Sequence, residues 1–442
     1  MERRRTRGRI ASLIAAILLV TLMAVPASAA TTYTPVEGTS CTFNKYLIMD
    51  EGDSVPNVTF RFTVAPGTAI PADLTTTPKT MEVLAGIGTP TIADVTFVPG
   101  DATTLYAAAQ DTTNTDIDVK RAASDRATGL DASTGVELEA GEKYAKKEAT
   151  ISFSGINFPE PGIYRYIVTE TASTTDEAAG IMHDNDTDRV LDVYVTDKND
   201  GTGELKVSAY IMHKNVGTVT LGDNYGSADV IAAGDALVDK TDGFTNEFNS
   251  KDLVFKKEVT GNQASRDKYF KFTVKLENVN ANDKYVVSIA NDNNAATTDG
   301  NADATSGTTS ATKADYQGQN NPTEVTGAQL MSENGVAFYL QHGQSIAIRG
   351  IAPNATYTVT EDAEDYKSTA AGVTGYADAT TGVIATVAGT DKAVMTSYLN
   401  ERGGIIPTGI LLSATPWIIL GVVVVAGIVF FAVRSKKRYD EE

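Results

Sequence analysis

The middle of the chain alternates between apolar and polar residues with a period of two. The clearest runs are VTFRFTV, YRYIVTE, VLDVYVTD, ELKVSAYIM, YFKFTVKL and YTVTED. Such alternation is typical of half-buried β-strands, and no stretch sustains the period of an amphipathic helix. One long run predicts a hairpin with Asn199, Asp200 and Gly201 at its turn. Short strands between turn residues, without helices, predict an all-β protein built from antiparallel β-sandwiches.

The strand pattern occurs twice. CTFNKYL (41–47) is followed by TFRFTV, GIYRYIVTETA and GFTNEF, while LVFKKEV (253–259) is followed by YFKFTV, ATYTVTEDA and SYLNE. Each half thus has a lysine on an early strand, an aromatic-x-aromatic strand, a glutamate closing a Y-x-V-T-E strand, and an asparagine on the last strand. This internal repeat predicts two tandem domains, residues 31–248 and residues 249–402.

The two ends of the chain carry export signals. Residues 1–29 combine clustered arginines, a short apolar stretch and an Ala-Ser-Ala tripeptide, which predicts a secretory signal peptide cut after Ala29. Residues 410–433 contain no charge and precede a basic tail. At about 1.5 Å per residue this stretch is long enough to cross a hydrocarbon core of roughly 30 Å, and the basic flank predicts a cytoplasmic tail.

Composition narrows the range of functions. The net charge is −19, which argues against binding nucleic acid or anionic surfaces. Cys41 is the only cysteine, so no disulfide can form within the chain although the predicted compartment would permit one. The exported part must therefore gain its durability in another way.

The repeated lysine has an unusual predicted environment. Alternation places Lys45 on the same strand face as Phe43, and Lys257 on the same face as Phe255. A buried ammonium is costly without compensation, and burial lowers the pKa of lysine while it raises that of glutamate. A buried Lys–Glu pair can therefore rest near its neutral forms. The neutral amine could then attack an asparagine carboxamide while the glutamate moves protons, releasing ammonia and leaving a Lys–Asn isopeptide bond.

These motifs resemble a known family. TFNKYL, FPEPGIYRYIVTE, GFTNEF, VFKKEVTG, TYTVTED, YLNE and IPTG are similar to segments of the two-domain major pilins of Gram-positive bacteria, which carry pilin isopeptide linkage domains. The resemblance covers essentially the whole exported chain. It implies two tandem Ig-like/CnaB-like sandwiches between the signal peptide and a C-terminal sorting signal, residues 405–442.

The resemblance also implies two sets of crosslinking residues. They are Lys45, Glu170 and Asn246 in the first domain, and Lys257, Glu361 and Asn400 in the second. Three points stay open at this stage: Asn249 is an alternative acceptor in the first domain, Lys256 competes with Lys257 in the second, and Tyr398-Leu399-Asn400 stands where the family usually shows Phe-Thr-Asn.

The pentapeptide before the apolar span is similar to a sortase sorting signal of the LPxTG type. It consists of Ile406, Pro407, Thr408, Gly409 and Ile410. The resemblance implies that a pilin-specific sortase cleaves after Thr408 and passes the threonine carbonyl to an amine. The motif differs from the consensus in Ile406 and lacks a residue between Pro407 and Thr408.

Two hypotheses of function follow. The first is the shaft subunit of a surface pilus, linked head to tail from Thr408 to a lysine of the next identical subunit. Position favours Lys240 as that acceptor, with Lys214 as the alternative. The second is a monomeric adhesin, anchored by sortase to peptidoglycan in the cell wall, that binds an unidentified host surface ligand. Under the first hypothesis, minor pilins are further candidate partners of the shaft subunit.

An enzymatic function, a cofactor and a metal are not expected. His183, His213 and His342 are the only histidines, and none has the spacing of a metal site or catalytic triad. Cys41, at the start of a strand, is interpreted as a small core residue. HDNDTD (183–188) lacks EF-hand spacing and is interpreted as a solvated acidic turn.

Overall fold

The computed structural model describes residues 34–72, 75, 82–109, 138–184, 187–213, 240–290, 321–371, 379–384 and 393–404. The predicted signal peptide, the predicted sorting signal and Lys214 lie outside these residues, and of Lys240 only the backbone is described. Across the described ranges, no helix combines the length and hydropathy needed to span a membrane.

Residues 34–248 contain fourteen described strands in two sheets. They are β1 (Thr34–Gly38), β2 (Ser40–Asp50), β3 (Val58–Pro66), β4 (Leu84–Ala85), β5 (Thr91–Ile92), β6 (Val95–Phe97), β7 (Thr103–Leu105), β8 (Glu142–Ser152), β9 (Gly162–Thr171), β10 (Ile181–Met182), β11 (Asp188–Asp197), β12 (Leu205–His213), β13 (Lys240–Thr241) and β14 (Gly243–Phe248). One sheet has the order β1-β12-β11-β9-β3-β6, with β13 beside β12 and β4 beside β9. The facing sheet has the order β10-β14-β2-β8-β5, with β7 beside β8.

Residues 251–401 form a second pair of sheets. Its described strands are β15 (Lys251–Thr260), β16 (Phe270–Glu277), β17 (Lys284–Ala290), β18 (Glu324–Thr326), β19 (Val336–Leu340), β20 (Ser345–Ile351), β21 (Thr356–Asp362), β22 (Lys367–Ala371), β23 (Ala379–Val383) and β24 (Ala393–Glu401). The orders are β18-β17-β20-β15-β24-β22 and β19-β16-β21-β23. The all-β class with tandem sandwiches is therefore confirmed, as is the hairpin, in which β11 and β12 pair antiparallel from Val190 to Asp197.

Two features differ from the sequence prediction. First, the sandwiches are not wholly antiparallel, because β14 runs parallel to β2 and β24 runs parallel to β15. Second, the described part of the sandwiches contains three single-turn helices where none was expected: α1 (Tyr106–Ala109), α2 (Thr174–Ala178) and α3 (Gly327–Leu330). The side chains of Ser173 and Thr326 cap α2 and α3. Helices of four or five residues are too short to show a hydrophobic period, so the pattern could not predict them.

Each sandwich has its own apolar core between its two sheets. In the first, Phe43 packs edge-on against Phe62 and Phe244 with ring centroids 5.2 and 5.5 Å apart. In the second, Phe255 and Phe272 lie 5.2 Å apart within the corresponding core. Strand alternation directs these rings inward, and it directs one lysine, one glutamate and one asparagine of each domain inward with them.

Candidate functional site

The first cluster forms where three strands turn polar side chains into the apolar core. Lys45 lies on β2 and Asn246 on the parallel strand β14, where Lys45 pairs with Phe244 and Asn246 pairs with Leu47. The two side chains are thus offset by two residues on the same face of one sheet. Glu170 approaches from β9 of the facing sheet. The lysine, glutamate and asparagine are 0%, 2% and 0% exposed, so water is excluded from the cluster.

Glu170 joins the other two side chains. Lys45 Nζ donates to Glu170 Oε2 at 2.6 Å, and Asn246 Nδ2 donates to Glu170 Oε1 at 2.5 Å. The ring of Phe60 lies under the amine, 4.4 Å from Nζ to the ring centroid. The carboxyl group therefore bridges an amine and a carboxamide, and these contacts offset part of the cost of burying all three polar groups.

The second cluster repeats this arrangement in the other domain. Lys257 on β15 pairs with Tyr398, and Asn400 on the parallel strand β24 pairs with Val259, which gives the same two-residue offset. Lys257 Nζ lies 2.6 Å from Glu361 Oε1, to which Asn400 Nδ2 donates at 2.9 Å. All three are at most 3% exposed.

The surroundings of the two lysines also correspond. Lys257 Nζ lies 4.6 Å from the ring centroid of Phe270, as Lys45 does above Phe60. In both domains the glutamate is in register with the second aromatic residue of the aromatic-x-aromatic strand, Phe62 in one case and Phe272 in the other. The repeat seen in the sequence is therefore a repeat of a three-dimensional site.

Two alternatives named from the sequence do not occupy these positions. Lys256 is buried next to Ser345 in the strand register, but it is the neighbouring lysine that contacts Glu361. Asn249 is exposed, and its side chain contacts Met182 at 3.9 Å. The strand alternation explains both outcomes, because each alternative lies an odd number of residues from the inward-facing position.

The structure adds two residues that the sequence analysis assigned to a solvated turn. His183 Nδ1 lies 3.1 Å from Glu170 Oε1 and 3.1 Å from Asn246 Nδ2. The backbone N–H of Asp184 donates to Asn246 Oδ1 at 3.1 Å. The interpretation of HDNDTD as a solvated turn was therefore wrong for these two residues. They follow a two-residue strand and carry no period-two signal, so no sequence pattern indicated their position.

Electrostatics favour different protonation states than the sequence analysis expected. Burial lowers the pKa of Lys45, although the charge of Glu170 opposes this effect. Burial raises the pKa of Glu170, but the charge of Lys45 and hydrogen bonds from His183, Lys45 and Asn246 outweigh it and hold the pKa at about 2. The surroundings of Glu170 therefore favour its charged form, whereas burial makes Lys45 a weaker base than a lysine in water. Movement of one proton along the 2.6 Å hydrogen bond would produce the neutral amine.

In the second cluster the lysine is also shifted toward its neutral form. Burial lowers the pKa of Lys257 to about 8, against the opposing charge and hydrogen bond of Glu361. The apolar cores thus make both amines weaker bases than lysines in water. An amine with a lowered pKa beside a carboxamide and a proton carrier is the arrangement that amide exchange requires.

Other residues considered from the sequence lie elsewhere. Cys41 is buried in the first core, where burial raises the pKa of its thiol. His213 lies 3.6 Å from Asp192, and His342 accepts a hydrogen bond from the backbone of Val259. Lys240 pairs with His213 at the edge of the first sheet. Among the described residues, no group of three or more His, Cys, Asp or Glu side chains could hold a metal ion.

The fold and these clusters define a class: a tandem β-sandwich protein in which each domain encloses a Lys–Glu–Asn cluster, with the lysine and the asparagine on adjacent parallel strands. Residues 42–248 match the model of a family described as the Spy0128-like isopeptide containing domain. This part of the chain is therefore similar to an isopeptide-containing domain. Residues 251–396 match a second model, described as a domain of unknown function (DUF7601).

Individual relatives are also pilins. A protein named Pilin from Streptococcus pyogenes serotype M1 is 28% identical over 293 residues, which is 64% of this chain and 71% of that protein. The crystal structure of the major pilin from Streptococcus pyogenes covers 84% of this chain and 100% of its own, at 20% identity and a TM-score of 0.47. The T-13 major pilin of Streptococcus pyogenes gives 21% identity and a TM-score of 0.42 with coverages of 84% and 100%.

Proposed function

We propose that this chain is the shaft subunit of a covalently polymerised cell-surface pilus. In this proposal each domain forms one Lys–Asn isopeptide bond without an enzyme, and a sortase joins the subunits head to tail. The chain acts as a structural protein, and the bonds are made once and never turned over.

One observation carries the proposal: in both domains the same buried Lys–Glu–Asn cluster joins an early strand to the parallel last strand. In each, the amine and the carboxamide both contact the carboxyl group of the cluster's glutamate, with N–O distances of 2.5 to 2.9 Å. A solvated surface lysine would need neither the burial nor the paired carboxamide. Two independent domains with this costly arrangement favour a shared chemical purpose.

The reaction balances as follows. A proton moves from the ammonium to the glutamate, and the neutral Nζ attacks the asparagine Cγ. The Nζ–Cγ bond forms, the Cγ–Nδ2 bond breaks, and Nδ2 leaves as ammonia after receiving that proton from the glutamate. The glutamate then takes the second proton from Nζ and releases it to solvent. Each domain would thereby lose about 17 Da as a covalent modification.

The bonds would serve the mechanics of a filament. Because β2 and β14 are adjacent and parallel, as are β15 and β24, a crosslink between them ties the entry strand of each domain to its exit strand. Force applied at the two ends would then load a covalent bond instead of a ladder of hydrogen bonds. This property suits a subunit that bears tension along a polymer.

Assembly would use the two chain segments identified from the sequence. A pilin-specific sortase would cleave after Thr408 and transfer it to Lys240 of the next subunit, with Lys214 as the alternative acceptor. The repeated use of one donor and one acceptor on different surfaces builds an open filament. The signal peptide and the apolar span would export the subunit and hold it at the membrane for this step, and minor pilins or peptidoglycan would complete the structure.

The assembly proposal is tested by expressing the full chain with its sortase in a Gram-positive host. Cell-wall extracts boiled in detergent are expected to show a ladder of high-mass species. Lys240→Arg should abolish this ladder, whereas Lys214→Arg, as the matched control, should preserve it. A single wall-linked band from the parent chain would contradict the pilus and favour a monomeric anchored adhesin.

A further inference from the structure

The two clusters differ, among the described residues, in the surroundings of the asparagine oxygen. Asn246 Oδ1 accepts a hydrogen bond from the backbone N–H of Asp184. In the second domain, Asn400 Oδ1 is buried with no hydrogen-bond partner among the described residues. Since this oxygen becomes negatively charged when the amine attacks, a donor already aimed at it would stabilise the transition state.

His183 lies beside Glu170 and Asn246. The backbone N–H of Ser173 donates to His183 Nε2 at 3.2 Å, which identifies Nε2 as the acceptor and leaves the proton of the neutral ring on Nδ1. Nδ1–H can then donate to Glu170 Oε1, 3.1 Å away. This hydrogen bond fixes the carboxylate so that its other oxygen, Oε2, faces Lys45.

The dipeptide His183-Asp184 is itself held in place. Asp184 Oδ2 forms an ion pair with Arg189 Nη2 at 2.5 Å and accepts a hydrogen bond from the backbone of Thr245 at 3.3 Å. Arg189 in turn lies over the ring of Phe244, 4.6 Å from the guanidinium carbon to the ring centroid, and donates to the carbonyl of Gly243. These contacts tie residues 183 and 184 to β14, the strand that carries Asn246.

We propose that His183 and the backbone of Asp184 complete the reactive site of the first domain. Asp184 N–H binds the oxyanion that forms on Asn246 Oδ1, and His183 Nδ1–H positions Glu170 for the proton transfers. This rests on the proposed function, since it assumes that the Lys45–Asn246 bond forms. Among the described residues of the second domain, no donor contacts the equivalent oxygen of Asn400, so the inference concerns the first domain alone.

The position of the leaving group, Asn246 Nδ2, is consistent with this role of His183. Asn246 Nδ2 lies 3.1 Å from the His183 ring, and the His183 side chain is 8% exposed whereas that of Glu170 is 1% exposed. The ring therefore lies between the buried cluster and solvent. During the reaction Lys45 Nζ gives up two protons: Glu170 passes one to the departing Nδ2, which leaves as ammonia, and retains the other until it is released to solvent.

The test measures how fast each bond forms in newly made protein. The full chain is synthesised in a short cell-free pulse, sampled over time, quenched in acid and digested. The two crosslinked peptides, Lys45–Asn246 and Lys257–Asn400, are then quantified by mass spectrometry. The variants are His183→Ala, His183→Asn, which keeps an N–H donor near the Nδ1 position, and His342→Ala as a matched control.

We expect His183→Ala to slow the first crosslink about 100-fold, the order found for loss of one positioned catalytic group. His183→Asn should recover most of that rate, and His342→Ala should leave it unchanged. The second crosslink of the same molecules should form at the parent rate in the His183 variants, which shows that the chain folds. A merely structural role of His183 would not be rescued selectively by a donor at one atom.

Other results overturn the inference. A first crosslink that forms as fast in His183→Ala as in the parent removes the role of the ring, and equal slowing in His183→Ala and His183→Asn removes the role of the Nδ1 donor. A parent chain that forms the second crosslink but never the first contradicts both this inference and the proposed first-domain bond. Failure of the proposed function is thus visible in the parent alone, whereas failure of this inference is visible only in the variants.

Discussion

Asn246→Ala should remove the first crosslink while it disturbs the folded core little. The substitution deletes the carboxamide that reacts, but it keeps the 2.6 Å ion pair between Lys45 and Glu170, so no charge is left buried alone. Glu170→Ala would be a poorer choice, because it would strand the ammonium of Lys45 in an apolar core. The expected loss of stability therefore comes mainly from the missing bond.

The expected loss of unfolding free energy follows from the length of the loop that the bond closes. Lys45 and Asn246 are separated by about 200 residues, and chain entropy for a crosslink of that span gives about 5 kcal/mol at 25 °C. The lost hydrogen bond to Glu170 adds about 1 kcal/mol. For a domain of this size the sum lowers the midpoint of thermal unfolding by roughly 10–20 °C.

Differential scanning calorimetry of the exported chain is the appropriate assay, with intact mass measured on the same sample. The matched control is Asn249→Ala, because Asn249 lies three residues along the chain and is exposed. We expect the control to unfold within about 2 °C of the parent, as surface substitutions usually do. If Asn246→Ala also unfolded there, or if it retained the parent's mass loss, the crosslink between Lys45 and Asn246 would be refuted.

Three further outcomes are expected. Lys257→Met should abolish the second crosslink, measured by intact mass, whereas Lys256→Met should preserve it; loss of the bond in the second variant alone would contradict the assigned register. In Asn400→Ala, Lys257 keeps a free amine, whose pKa is about 8 in the folded state and 10.5 in the unfolded state. Between these pH values the unfolded state binds more protons than the folded state. The second domain of this variant should therefore gain stability as pH rises through that range. The parent, whose amine is consumed, should gain less in parallel denaturant titrations, and equal gains would argue that no bond forms. Under force, a single parent chain should extend without releasing the segment between Lys45 and Asn246, and Asn246→Ala should release it.

Much of the fold could be predicted because alternation has a fixed period. Lys45 lies two residues from Phe43 on one strand, so burial of the ring implied burial of the amine, and both are buried. The parallel pairing of β2 with β14 could not be predicted in the same way. It depends on how strands about 200 residues apart meet across the sandwich, and alternation fixes only which face a residue shares.

The same distinction decides which residues of the site could be predicted from the sequence. Lys45, Glu170 and Asn246 each end or interrupt a regular apolar pattern, which made them conspicuous. His183 and Asp184 lie between a two-residue strand and the start of β11, where no periodic signal exists and where the acidic composition suggested a solvated turn. The protonation state of Glu170 was also beyond the sequence, because it depends on three hydrogen bonds made by distant residues.

The central claim is tested most directly by the intact mass of residues 31–402 produced in a heterologous host. The account predicts a mass lower than the sequence mass by two ammonia molecules, about 34 Da, as two covalent modifications. Asn246→Ala and Asn400→Ala should each restore one of them, after correction for the substitution, and digestion should yield the peptides that join Lys45 to Asn246 and Lys257 to Asn400. A parent chain with its full sequence mass would contradict the account.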